Sequence, residues 1–225
     1  MNETQGKTNI PTSTNTQNTK PTQNQIPLQS IESGVESRPT GLCVLRDMKA
    51  ETCLVYTDRE VLEKTEESKP EIVAIDAPLS LPAGRESIEQ RTNVHLRECD
   101  KELLRRGIKF FPVTLGPMRK LTTRGMSLKG TLENKHLRVI EVYPGGAQDV
   151  LGIPRKQRGL DDLRAGLEKA GVRGLNSRMS DHELDAVTCA LVGKLHVQGK
   201  SVTYGTSDQA IVMPQDEKPR KRPLS

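Results

Sequence analysis

Acidic side chains at three separated places carry the chemistry this sequence offers. Asp76 closes the apolar run in E-I-V-A-I-D-A-P-L-S-L-P at residues 71–82. Glu141 lies in V-I-E-V-Y-P at 139–144. Asp181 and Asp185 are four residues apart in D-H-E-L-D, so on a helix they share a face. Carboxylates arriving from two strands and a helix suit a hard divalent cation, Mg²⁺ or Mn²⁺, which takes oxygen ligands and keeps waters for substrate phosphates. Two such ions about 4 Å apart activate a water and steady the leaving oxygen in phosphodiester cleavage. The expected catalytic group is Asp76, Glu141 and Asp185, with Asp181 completing the metal ligands. Each acid also has a plainer use. Asp76 can cap the turn after it, Asp181 can complement a helix dipole, and Glu141 can pair with an arginine. Asp185 precedes Ala186 beside an apolar stripe, where an acid without a partner is costly.

Other residues offer less. Arg97 and Asp100, in R-E-C-D at 97–100, are candidates for holding a substrate phosphate or a neighbouring loop. A salt bridge along a helix face is the commoner use of such a pair. The four histidines, His95, His136, His182 and His196, are scattered. His182 adjoins Asp181 but reads as a surface residue. Cys43, Cys53, Cys99 and Cys189 form no C-x-x-C pair, so zinc spacing is absent. They read as small core residues. No Gly-rich phosphate loop and no nucleophile elbow is present.

The elements that must position these acids follow from the pattern. Ile72 to Ile75 is a short apolar run, mostly β-branched, as a strand buried on both faces requires. Asp76 then stands at the strand's C-terminal lip, where open α/β sheets place ligands. Before it, Gly41 to Arg46 and Glu51 to Thr57 read as a hairpin, and a helix capped by Asp58 runs to Ser68. After it, helices are expected at Asn93 to Arg106, ended by Gly107, and at Pro117 to Lys135. Gly125 and Gly130 weaken the second. Leu137 to Val142 reads as a strand. Short helices follow at 147–153 and at Leu160 to Ala170, the latter closed by Gly171. Ser180 and Glu183 form a capping box for the strongest helix, whose buried stripe is Leu184, Val187, Leu191 and Leu195. A last strand is expected at Gln209 to Met213.

Composition narrows the class. The chain has 225 residues, 33% hydrophobic and 2% aromatic, with no Trp, enough for one sizeable domain with an aliphatic core. Residues 1–28 are Thr, Asn, Gln, Pro and Lys with little to bury, and are expected to be disordered. Residues 29–214 make the domain, and 215–225 a charged tail. The formal charge is +5, a weak pull toward an anionic partner such as nucleic acid. Few aromatics are present for base stacking, so contacts would go to phosphate. No apolar run reaches the length of a membrane span, so no membrane partner is expected. A soluble, reducing, cytoplasmic setting is the default expectation. The oligomeric state is not legible.

Taken together, these segments resemble a widespread family described as predicted nucleases of ribonuclease H fold, the DUF four-two-nine domain. The matching pieces are R-P-T-G-L-C-V-L at 38–45, I-D-A-P-L-S-L-P at 75–82, R-E-C-D at 97–100, G-I-K-F-F-P at 107–112, V-I-E-V-Y-P at 139–144 and D-H-E-L-D-A-V-T-C-A-L at 181–191. Each is short, but they occur in the same order. The resemblance implies an α/β, ribonuclease H-like mixed sheet of about five strands with helices on both sides. It implies that Asp76, Glu141 and the Asp181/Asp185 pair line one acidic cleft. It also exposes a departure. The family opens on an apolar strand ending G-I-D, whose Asp would be the first metal ligand. Here the stretch is I-P-L-Q-S-I-E-S-G-V-E-S, a degenerate first strand in which Glu32 is the nearest substitute. That departure keeps an alternative open: a nucleic-acid- or protein-binding module on the same fold without catalysis. A phosphotransferase of the related actin-like fold is disfavoured by the missing phosphate loop.

Overall fold

The computed structural model describes residues 39–216. The expected leader, the degenerate first strand with Glu32, and most of the charged tail lie outside the described residues.

The chain begins with an antiparallel hairpin. Strand β1 (Thr40–Arg46) pairs with β2 (Lys49–Val55) in the register Thr40↔Val55. The turn places Asp47 and Met48 at positive φ, and it lets β2 begin two residues earlier than the pattern suggested. Helix α1 (Asp58–Ser68) follows. Its cap is Thr57, not Asp58: the Thr57 hydroxyl accepts from Glu60 N, and Glu60 reaches back to the cap. T-D-R-E is thus the same S/T-x-x-E box as that of the last helix.

Strand β3 (Val73–Ile75) pairs in parallel with β4 (Val139–Glu141), with Ile75 opposite Glu141. Between them lie a long loop, α2 (Glu98–Arg105) and α3 (Gly116–Asn134). The α2 helix starts five residues later than the pattern predicted. Arg85 explains the delay: its guanidinium donates to the carbonyls of Gln90 at 2.6 Å, Thr92 at 3.3 Å and Val94 at 2.7 Å. Those carbonyls serve the loop and not a helical ladder. Helix α3 runs unbroken through Gly125 and Gly130. A Cβ at Gly125 would stand 2.8 Å from both the Ala77 Cβ and the Pro78 carbonyl oxygen, so the glycine permits a close crossing.

After β4 come α4 (Pro144–Leu151), a single 3₁₀ turn (Lys156–Arg158), α5 (Leu160–Lys169) and α6 (Asp181–Val197). Pro144 and the two glycines after it open α4 three residues before the expected start at 147, because proline fits the first helical turn. A closing hairpin pairs β5 (Ser201–Tyr204) with β6 (Ile211–Pro214). Its first strand was not read from the sequence.

The architecture is mixed α/β, with six α-helices and three two-stranded ladders among the described residues. The expected five-strand sheet does not appear as one continuous ladder. One of two isolated parallel bridges, Val142 to Val212, links the β3–β4 pair to the last hairpin. Helix α6 lies at the centre. It packs on both hairpins, on β3, and on α4 and α5. Leu184, Val187 and Leu191 face α5 and β2 residues including Leu163, Leu167 and Ala50. Cys189 and Val192 face Val142, Ala74 and Ile140. Burial on two sides is more than the single stripe the sequence suggested.

Candidate functional site

Register decides which acids can meet. Ile140 and Val142 pack toward α6, so Glu141 between them points to the opposite side, because side chains alternate along a strand. On β3, Ala74 packs toward α6, and Asp76 keeps the same parity. It lies close enough to Asp185 for the two charges to act on each other. The parallel pair therefore sends Asp76 to the α6 side and Glu141 away from it.

On the far side, Glu141 belongs to a buried ionic group. Arg97 donates to its two oxygens at 2.6 and 2.7 Å. The same guanidinium donates to Asp100 Oδ1 at 2.9 Å and Oδ2 at 3.1 Å. Leu79 N–H adds a bond to Glu141 at 2.7 Å. The residues are 3%, 1% and 5% exposed for Arg97, Asp100 and Glu141. Burial pushes the Glu141 carboxyl upward, against the pull of Arg97; two short bonds to a guanidinium fix it as the carboxylate. Glu141 thus has its oxygens engaged, and Arg97 and Asp100, expected at a substrate, are enclosed. Their work is to tie the loop after Asp76 to β4 and α2.

On the α6 side, two acids hold one ammonium. Lys156 Nζ donates to Asp181 Oδ2 and Asp185 Oδ2, each at 2.9 Å. Partial burial opposes the Lys156 charge, but the two carboxylates outweigh it and hold the ammonium protonated. The bond from Lys156 in turn holds Asp181 below the usual carboxylate range. Gln148, fully buried, donates its amide N–H to Asp185 Oδ1 at 3.2 Å and to the Thr188 hydroxyl at 3.1 Å. Asp185 therefore has its orientation set from two directions.

Asp76 is open to solvent, yet protein surrounds it on most sides. The surroundings come first in raising its carboxyl, to about 7; Asp185 adds to the rise, Lys156 opposes it, and Glu141 adds a little from behind the sheet. A carboxylate beside a second carboxylate shares its site poorly with another negative charge and well with a cation.

Three of the four thiols are poor nucleophiles. Burial pushes Cys43 and Cys99 up to about 12, and Cys189, wholly buried, also lies well above its ordinary value. All four cysteines are free. His182 lies 3.9 Å from Asp181 and stays half-exposed.

Two residues of the site, Lys156 and Gln148, were not singled out from the sequence. Lys156 sits in P-R-K-Q-R, which reads as a solvated basic turn. Gln148 sits in a helix whose glycines mask it. Only their long-range contacts give them meaning.

The chain belongs to the family described as Protein of unknown function (DUF429), whose model matches residues 34–210. No curated protein and no solved structure matches it. Among the described residues, no three His, Cys, Asp or Glu side chains are gathered as a ready metal site, and no helix is long and apolar enough to cross a membrane.

Proposed function

We propose that this chain is a divalent-cation-dependent phosphodiester hydrolase, a nuclease, on a ribonuclease H-like plan. The observation that carries the reading is Asp76 at the C-terminal end of a parallel strand, electrostatically coupled to Asp185 across the α6 face. The plan itself is supported by a parallel pair and an antiparallel hairpin, with α6 packed on β1, β2 and β3.

The donor set suits Mg²⁺ or Mn²⁺. Such ions are commonly held by one or two carboxylates, with waters and substrate phosphates completing the shell. Asp76 and Asp185 would hold the ion, with Asp181 beside them. Glu141 is engaged by Arg97 and supports the loop instead. Asp181, Asp185 and an ionised Asp76 outnumber the single Lys156 ammonium, so this face has negative charge for a divalent ion to balance. Bound there, the ion supplies Lewis-acid polarisation of a phosphoryl oxygen and an acidified water. Gln148 keeps one Asp185 oxygen turned inward, leaving the other for the cleft. The basic surplus, +5 overall, would hold the phosphate backbone.

The test is hydrolysis of single- and double-stranded DNA and RNA in Mg²⁺ or Mn²⁺, with wild type and Asp76→Asn. Cleavage is expected for the wild type and a loss of about a hundredfold or more for the variant, as for groups acting directly in the transition state. Equal rates would remove Asp76 from the mechanism.

The Lys156 ammonium supports a second reading, a non-catalytic binding module whose α6 acids are already paired with a cation of the chain. Calorimetric titration with Mn²⁺ separates the two, since the module shows no uptake.

A further inference from the structure

The acids of α6 already hold a cation that belongs to the chain. Lys156 Nζ is 2.9 Å from an oxygen of Asp181 and 2.9 Å from an oxygen of Asp185. It fills the notch that the i, i+4 spacing creates. Its placement is built in and not left to a wandering side chain. The preceding Arg155 is locked by a two-pronged bond to Asp149, at 2.8 and 2.5 Å. Arg155 also donates to the Tyr143 hydroxyl at 3.2 Å, and that hydroxyl donates to the Lys109 carbonyl at 2.9 Å. The 3₁₀ turn closes with Arg158 N–H on the Arg155 carbonyl at 2.9 Å. Arg155 is thus anchored to α4 and its cap residue Tyr143, and Lys156 follows it with its ammonium on α6.

A divalent ion held by Asp76 and Asp185 would have to share Asp185 with this ammonium. Two cations so close repel strongly wherever water is partly excluded. The oxygen of Asp185 that Lys156 takes is also the one Gln148 leaves for the cleft. The ammonium and the metal therefore compete for one position.

We propose that Lys156 is a resident counter-ion of the acidic cleft, which a divalent cation must displace before it can bind. Without metal, Lys156 keeps Asp181 and Asp185 from repelling each other and sets a threshold for metal entry. With metal, the ammonium gives up Asp185. This rests on the metal-dependent reading above, and the experiment distinguishes failure of one from failure of the other.

The full chain is titrated with MnCl₂ by calorimetry as wild type, Lys156→Met and Lys156→Arg. Removing the charge is expected to tighten Mn²⁺ binding by about tenfold or more, since a nearby unit charge is lost, while K156R stays near wild type. In thermal melts with EDTA, K156M is expected to melt below wild type, and Mn²⁺ to restore it. Equal Mn²⁺ affinity in wild type and K156M would overturn the counter-ion role and leave the metal reading intact. No uptake by any of the three would overturn both. If K156M fails to fold, Lys156→Gln, which keeps a polar donor without the charge, decides between the same outcomes.

Discussion

Arg97 stands between Asp100 and Glu141 with almost no contact with water. Removing one partner of such a group leaves an unbalanced buried charge. Arg97→Met is therefore expected to lower stability by about 3–5 kcal/mol, read from urea unfolding midpoints. A loss below 1 kcal/mol would show that water reaches the group. Asp76 makes the opposite contribution. Its carboxyl is held up to about 7, above the roughly 3.9 of an unfolded chain. A raised value of this kind means stability is fully present below the unfolded value and is lost as pH rises through the folded one. The wild type should thus lose stability between about pH 4 and pH 7 from this group. Asp76→Asn should match it near pH 4 and exceed it at pH 8, as denaturant midpoints at the two pH values will show. Identical midpoints at both would place Asp76 in bulk-like water.

At the scale of elements, the site depends on how closely β1 lies on α6. A Cβ built on Gly41 would stand 2.1 Å from the carbonyl oxygen of His182 and 2.7 Å from Glu183 N. Both atoms are backbone at the start of α6, so neither can step aside. Ordinarily Gly→Ala inside a strand is stabilising. Here Gly41→Ala is expected to cost about 1–3 kcal/mol or more, as overpacking does, and to shift the first turn of α6 with Asp181 and Asp185. A thermal melt measures the first effect and Mn²⁺ affinity the second. An unchanged melt would mean the strand and helix can separate freely. The same first turn is fixed by Ser180 and Glu183, whose reciprocal bonds are 2.9 to 3.3 Å. Glu183 also accepts from the Thr52 hydroxyl at 2.7 Å, so this cap joins β2 to the helix.

At the scale of the whole molecule, any ligand that binds only the folded chain adds to its stability. A cation at the Asp76–Asp185 face, present at about 100 times its dissociation constant, is expected to add about 2.7 kcal/mol. The double variant Asp76→Asn, Asp185→Asn should show none of this. Differential scanning calorimetry with and without Mn²⁺ makes the comparison; stabilisation of equal size in both would move the ion elsewhere. Nucleic-acid binding by a surface of this charge would weaken as salt rises, because it releases counterions.

Much of the molecule is legible in its sequence. Most of the element order, β5 excepted, the S-x-x-E cap of α6, and Asp76 at the end of a short apolar run are local features. Each is set by neighbours within a few residues, so spacing and residue type determine it. The pairing of Asp185 with Asp181 follows from helical period alone. What tertiary structure decided is partnership. Arg97 meets Glu141 across 44 positions and Lys156 meets Asp185 across 29; nothing local encodes either contact. The parity of two strands in one register sent Asp76 and Glu141, similar in sequence setting, to opposite sides of the same sheet. A charge in a chain is only a charge; which opposite charge it finds, and whether water reaches both, is settled when distant segments pack.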